Sequence, residues 1–209
     1  MDETTSPADA APADFAELAA SIDPHDIDLG DLAPLGLLLD EDRGSLPYAL
    51  IHGEALVACA AWALGEAGVQ PVDTGTTWEE LALSGEPVVL HDPLCPMTPS
   101  DFIAACVLRA VTEDVVVVAV RPVTDTVKTV TDGTVGETVD REELRALASP
   151  VVLPASVVAA LPSLPAVHFE QLVPALRQHF RVELVPAPVQ ARRVADADDV
   201  AVLEALTRR

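Results

Sequence analysis

Residues 86–101 read Glu-Pro-Val-Val-Leu-His-Asp-Pro-Leu-Cys-Pro-Met-Thr-Pro-Ser-Asp, and the reading of this stretch decides the fold. Val88, Val89 and Leu90 form a short apolar run of the kind that fills a strand buried on both faces. His91-Asp92 ends it, the prolines that follow deny a ladder or helix its N–H donors, and Ser100 opens an amphipathic helix. A strand, a rigid loop and a helix in this order belong to an open α/β sheet, where ligands sit just beyond the carboxyl ends of the strands. Asp92 is therefore placed to hold a metal or a substrate hydroxyl; a capping or turn aspartate would occupy the same position.

Outward from this stretch the rhythm continues. Toward the N-terminus, residues 35–39 are an aliphatic strand candidate closed by Asp40-Glu41-Asp42-Arg43-Gly44. Residues 54–67 read as a helix ended by Gly68, residues 69–72 as a short strand, and residues 73–85 as a polar connection. Toward the C-terminus, residues 100–112 are a helix and residues 115–120 are six consecutive apolar residues, the strongest strand in the chain. Residues 126–130 and 134–138 then alternate polar and apolar around Asp132-Gly133, a hairpin turn dipeptide. A two-stranded ribbon is marginal alone, so this arm is expected to pack on something, a second subunit being one answer. Residues 140–147 read as a short helix or turn stopped at Ser149-Pro150, residues 154–161 and 169–180 as helices, and residues 182–185 as a late strand. Residues 190–194 read as an edge strand or extended segment, and residues 198–206 as a terminal helix. The fold class is α/β: a doubly wound, mainly parallel sheet with a protruding β-hairpin arm.

Bulk properties narrow the function. A formal charge of −22 over 209 residues, with Lys128 the single lysine, excludes nucleic-acid binding by charge and argues against an anionic membrane surface. Cys59, Cys95 and Cys106 share no metal-ligand spacing and suit reduced thiols in a cytoplasmic protein. The N-terminus has neither a basic nor an apolar leader region, and no apolar run is long enough to span a bilayer. Residues 1–42 hold twelve acidic side chains and no Lys or Arg, so more than half of the net charge lies in the first fifth of the chain. Residues 1–30 are expected to be an acidic, partly disordered segment, with a short amphipathic helix around Phe15, Leu18, Ala19 and Ile22. Residues 31–209 form a single domain whose arm covers about 124–141.

Four pieces in sequence order carry a family resemblance. Leu90-His91-Asp92-Pro93-Leu94-Cys95-Pro96 resembles the His-Asp-Ala-Ala-Arg-Pro motif of the 2-C-methyl-D-erythritol 4-phosphate cytidylyltransferases. Pro122-Val123-Thr124-Asp125-Thr126-Val127-Lys128 resembles their Pro-Val-x-Asp-Thr-Ile/Met-Lys segment. Thr138-Val139-Asp140-Arg141 with Ser149-Pro150 resembles Thr-Val-Asp-Arg and Thr-Pro-Gln, and Arg193-Val194 with Asp198-Asp199-Val200 looks like the closing Lys-Val/Ile-Thr and Glu-Asp-Leu. The resemblance implies a nucleotide-diphospho-sugar transferase-like fold that dimerises through the arm. It also implies transfer of a cytidylyl group from CTP to a sugar phosphate, with Mg²⁺ present and pyrophosphate released, on the way to isoprenoid precursors. Carried over by position, Asp92 is the catalytic residue and contacts the methylerythritol hydroxyls or the metal. Thr126, Arg141, Ser149 and Arg193 hold the substrate phosphate, Arg141 reaching into the partner subunit's site. Arg193 stands where the family has a lysine, a planar fork replacing a point charge.

The nucleotide half departs from the pattern. Where the family has a strand running into Ala-Ala-Gly-x-Gly-x-Arg and then Pro-Lys, this chain has residues 35–39 running into Asp40-Glu41-Asp42-Arg43-Gly44, and Tyr48 follows Pro47. The family's Gly-Gly-x-x-Arg-x-x-Ser-Val segment has no counterpart between Val72 and Glu86, and Cys95 replaces the motif arginine. Three functions fit: a cytidylyltransferase with a rebuilt triphosphate loop; a non-catalytic homodimeric binding or regulatory protein of the same fold that takes a small phosphorylated metabolite or a protein partner; or an acidic interaction protein that uses its N-terminal segment.

Overall fold

The computed structural model describes residues 29–73 and 75–208. The expected acidic tail and its short helix lie outside the described residues, apart from the last two positions of the tail. In chain order the strands are β1 (Leu35–Leu38), β2 (Leu50–Ile51), β3 (Glu54–Ala55), β4 (Gln70–Pro71), β5 (Val88–His91), β6 (Val116–Pro122), β7 (Val127–Thr131), β8 (Thr134–Val139), β9 (Arg145–Leu153) and β10 (Val182–Pro186). The helices are α1 (Leu56–Glu66), α2 (Trp78–Ser84), α3 (Ser100–Glu113), α4 (Ala155–Ala160), α5 (Phe169–Arg177) and α6 (Ala197–Leu206). None of them is long and apolar enough to cross a membrane.

The central sheet has the order β10-β6-β9-β5-β1-β4. Its pairs are parallel, except that β9 runs antiparallel between β5 and β6. From β1 the chain goes outward to β4 and returns to β5 on the other side of β1. The switch point thus lies between β1 and β5, where a crevice opens beyond the strand ends.

The apolar runs explain the layers. In β6, Val117 and Ala119 join one core with Val89, Val152, Leu64 of α1 and the buried face of α3. Val116, Val118 and Val120 join the opposite core, with Val88, Leu90, Leu81 of α2, Val157 and Val158 of α4, and Phe169, Leu172 and Leu176 of α5. A strand buried on both faces needs no alternation, which is why residues 115–120 are uniformly apolar. A third cluster, Ile51, Leu56, Leu94, Val194, Val200 and Leu203, ties α6 and the small β2–β3 hairpin to the loop after β5.

Two segments differ from the sequence reading. The polar stretch at 73–85 contains α2, started by a capping box in which Thr77 accepts from the Glu80 amide while the Glu80 carboxylate accepts from the Thr77 amide. Residues 140–147 are a single 3₁₀ turn at Arg141–Glu143 followed by β9, which passes straight through Ser149-Pro150 to Leu153. Pro150 is accommodated because the β6–β9 register shifts between Val118 and Val120, opposite this dipeptide, whose peptide bond is cis. Residues 190–194 are extended only at their end, after a 3₁₀ turn at Val189–Ala191; Val194 N–H donates to Leu94 O at 2.8 Å.

The arm forms as expected. Strands β7 and β8 pair antiparallel as a separate two-stranded sheet, and Asp132 and Gly133 both take positive φ, 51° and 75°. Val130 and Val135 face each other across the ribbon, 66 % and 65 % exposed.

Candidate functional site

Parallel pairing places Leu38 beside His91, and Leu39 N–H donates to His91 O at 2.9 Å. The turn at residues 40–44 therefore sits next to the start of the Asp92 loop. That loop is fixed by its own Asx turn: Leu94 N–H donates to Asp92 Oδ1 at 3.0 Å and Cys95 N–H to Asp92 O at 2.9 Å. Asp92 is 2 % exposed, so its charge requires partners.

Two guanidinium groups supply them. Arg193, delivered by the extended segment after the 3₁₀ turn, donates from Nε to Asp92 Oδ2 at 2.9 Å. Burial works to lower the Arg193 pKa, but the Asp92 hydrogen bond and charge outweigh it and hold the pKa above its ordinary value. Arg43 comes from the acidic turn. Asp40, Glu41 and Asp42 face solvent, while the Arg43 side chain folds inward until Nε stands 3.4 Å from Asp92 Oδ1. Its Nη1 donates to His168 Nδ1 at the start of α5, and His168 Nε2 lies 3.8 Å from Asp42 Oδ2. The positive φ of Asp42 (58°) and Gly44 (62°) lets the turn reverse this tightly.

Behind Asp92 lies a buried polar pair. Asp92 N–H donates to Ser149 Oγ at 3.0 Å, which leaves the Ser149 hydroxyl proton for His91 Nδ1, 2.5 Å away. His91 thus carries its own proton on Nε2, an atom without a hydrogen-bond partner among the described residues. Burial pushes the His91 pKa down to about 4 against the opposing pull of Asp92, so the ring is neutral near pH 7. Burial and then the Asp92 charge push the neighbouring Cys95 thiol far up, which makes it an inert filler and not a nucleophile.

The structure brings Asp92, Ser149 and Arg193 together and sets Thr126 and Arg141 apart. Thr126 is exposed at the base of the arm, and Arg141 Nη1 donates to Thr124 O at 2.8 Å. Arg141 lines a cleft of about 510 Å³ with Arg121, Thr124, Glu142 and Arg145. No hydrogen bond or ion pair among the described residues joins Thr126 or Arg141 to Asp92. Arg43 is a site residue that its position in the sequence does not single out. Its signal was that of a lone cation in an acidic turn directly following a core strand.

The donor set does not fit a divalent ion. Both Asp92 oxygens are engaged by guanidinium or amide N–H groups, and no group of three His, Cys, Asp or Glu side chains that could hold a metal occurs among the described residues. Hard cations such as Mg²⁺ require several oxygen ligands.

A profile of the 2-C-methyl-D-erythritol 4-phosphate cytidylyltransferase family matches residues 70–209. Among solved structures, the fold is similar to the cytidylyltransferase of that name from Thermus thermophilus, with TM-score 0.61 and 23 % identity over 83 % of this chain and 98 % of that one. It is also similar to the 4-diphosphocytidyl-2C-methyl-D-erythritol synthase of Anaerococcus prevotii, with TM-score 0.60 and 14 % identity over 85 % and 99 %. The bifunctional IspDF of Campylobacter jejuni matches at TM-score 0.53 and 13 % identity, over 82 % of this chain and 54 % of that one. No match is found among curated proteins. The profile spans well over half of the sequence and the sheet order agrees with the expected doubly wound fold: this chain belongs to the 2-C-methyl-D-erythritol 4-phosphate cytidylyltransferase family.

Proposed function

We propose that this chain is a binding member of its family, a homodimer that holds a small phosphorylated molecule at Asp92 and Arg193 and does not transfer a nucleotide. The turn after β1 carries the reading. A triphosphate seated there would meet Asp40, Glu41 and Asp42 in place of glycine amides, and each repulsion costs about 1–4 kcal/mol at surface-like dielectric. Each preorganised donor lost from a transition state removes about two to three orders of magnitude in rate. The sugar-phosphate half is better supplied. Arg193 presents a partly exposed guanidinium with N–H groups left for a phosphate, and Asp92 offers its remaining lone pairs to hydroxyls. Arg141 reaches the pocket from the partner subunit, in keeping with its position at the arm, and Thr126 adds a hydroxyl to the phosphate. Ser149 works from behind, fixing the Asp92 amide.

A second reading, a working cytidylyltransferase, is favoured by one observation: the Arg43 guanidinium reaches the Asp92 corner, where an arginine from the family's turn would be of use. Incubation with CTP, methylerythritol phosphate and Mg²⁺ separates the two. The binding reading expects methylerythritol phosphate to raise the melting midpoint, CTP to leave it unchanged and pyrophosphate to stay at the blank level. Pyrophosphate release that Asp92→Asn abolishes establishes the second reading instead.

A further inference from the structure

We infer that Arg43 is the resident cation of this site: its guanidinium, with that of Arg193, neutralises Asp92 and occupies the approach to both of its oxygens, so the aspartate takes no divalent metal and a phosphate monoester binds metal-free. The inference rests on the binding role proposed above and deepens it, and it is argued from the arrangement of donors. Asp92 Oδ1 receives the Leu94 amide at 3.0 Å and faces Arg43 Nε at 3.4 Å; Oδ2 receives Arg193 Nε at 2.9 Å. The Arg43 side chain is only 4 % exposed, and its Nη1 is tied to His168, so it is packed in place and is not a surface arginine resting on a carboxylate. Arg43 Nε is buried and has no hydrogen-bond partner among the described residues, where ion pairing with Asp92 is its compensation.

A divalent ion approaching Asp92 would have to expel Arg43 from a buried position and would then stand beside Arg193, a like charge. No group of three His, Cys, Asp or Glu side chains among the described residues completes a metal site there. A phosphate dianion meets the opposite field. Arg193 is one-third exposed, and its Nη groups can donate to phosphate oxygens while Nε stays on Asp92. Arg43 neutralises the aspartate so that the incoming anion is not repelled by it. The ligand class is thus a phosphate monoester recognised by guanidinium groups, with no bridging metal.

The test uses the full chain and no nucleotide, so its outcome is independent of the pyrophosphate assay. Free Mn²⁺ is counted by electron paramagnetic resonance against wild type and Asp92→Asn, and melting midpoints are read with inorganic phosphate in EDTA and in Mg²⁺. The expected result is equal Mn²⁺ retention by both proteins and the same phosphate-induced rise in both buffers. Mn²⁺ held by wild type and released in Asp92→Asn overturns the inference, as does a phosphate effect that is absent or needs Mg²⁺. Arg43→Met, which fits the same space, checks the pairing. The double variant with Asp92→Asn is expected to melt no lower than Asp92→Asn alone, and additive losses contradict the clamp.

Discussion

Arg43 Nε and Asp92 Oδ1 lie 3.4 Å apart across the β1–β5 switch point, with side chains 4 % and 3 % exposed. The pair joins the two turns that a doubly wound sheet offers to a ligand, and it sets one against the other. Removing Asp92 leaves the buried Arg43 charge without its ion-pair partner. Asp92→Asn is expected to lower unfolding free energy by about 3 kcal/mol, the low end for a broken buried pair, because Arg193 is partly wetted. Arg43→Met should cost less, since Asp92 keeps Arg193 and the Leu94 amide. Urea denaturation of both variants reads this order, and a larger loss for Arg43→Met would reverse it.

The buried imidazole gives stability a pH dependence of definite sign. His91 titrates near 4 in the folded chain and near 6.5 when unfolded, so between these values the unfolded state binds the extra proton. Its contribution is complete above pH 6.5 and is lost as pH falls toward 4, on the order of 3 kcal/mol in all. Denaturation at a series of pH values, compared with His91→Asn, isolates it: the variant should show a flatter slope in that window. Parallel slopes would mean that the ring does not titrate as described.

Ser149 supports Asp92 through its backbone. Ser149→Ala strands the Asp92 amide and the His91 Nδ1 acceptor in a buried space, and a loss of about 1–3 kcal/mol is expected. Affinity for a sugar phosphate should fall with it, since the Asp92 loop is no longer pinned. A variant of unchanged stability would show that the buried bonds carry nothing.

The proposed homodimer makes the arm its contact. Val130 and Val135 present an apolar rung to solvent, and replacing both with Asp should give a monomer of unchanged fold by sedimentation and circular dichroism. A wild-type chain that sediments as a monomer removes the arm from this role.

Much of the fold was legible because burial dictates composition. Residues 115–120 had to be a two-sided core strand, and Asp132-Gly133 had to turn a hairpin. β9 was not legible, since Ser149-Pro150 reads as a stop, and only tertiary pairing with β5 and β6 shows that a register irregularity lets the strand pass. The same irregularity turns Ser149 toward His91 and Asp92, as bulges next to sites do. α2 had a signal in Thr77-x-x-Glu80, but it was obscured by the polar stretch around it. At the candidate site, Asp92 and Arg193, which the structure places in contact, were singled out by motif position. The inward path of Arg43 was not, because whether a turn cation faces water or a buried carboxylate is set by strand register, which sequence spacing does not reveal.

Pyrophosphate release from CTP with methylerythritol phosphate and Mg²⁺ tests the central claim most directly. The account predicts release no greater than without protein, in a sample whose melting midpoint methylerythritol phosphate still raises. Release that scales with protein and disappears in Asp92→Asn would contradict it.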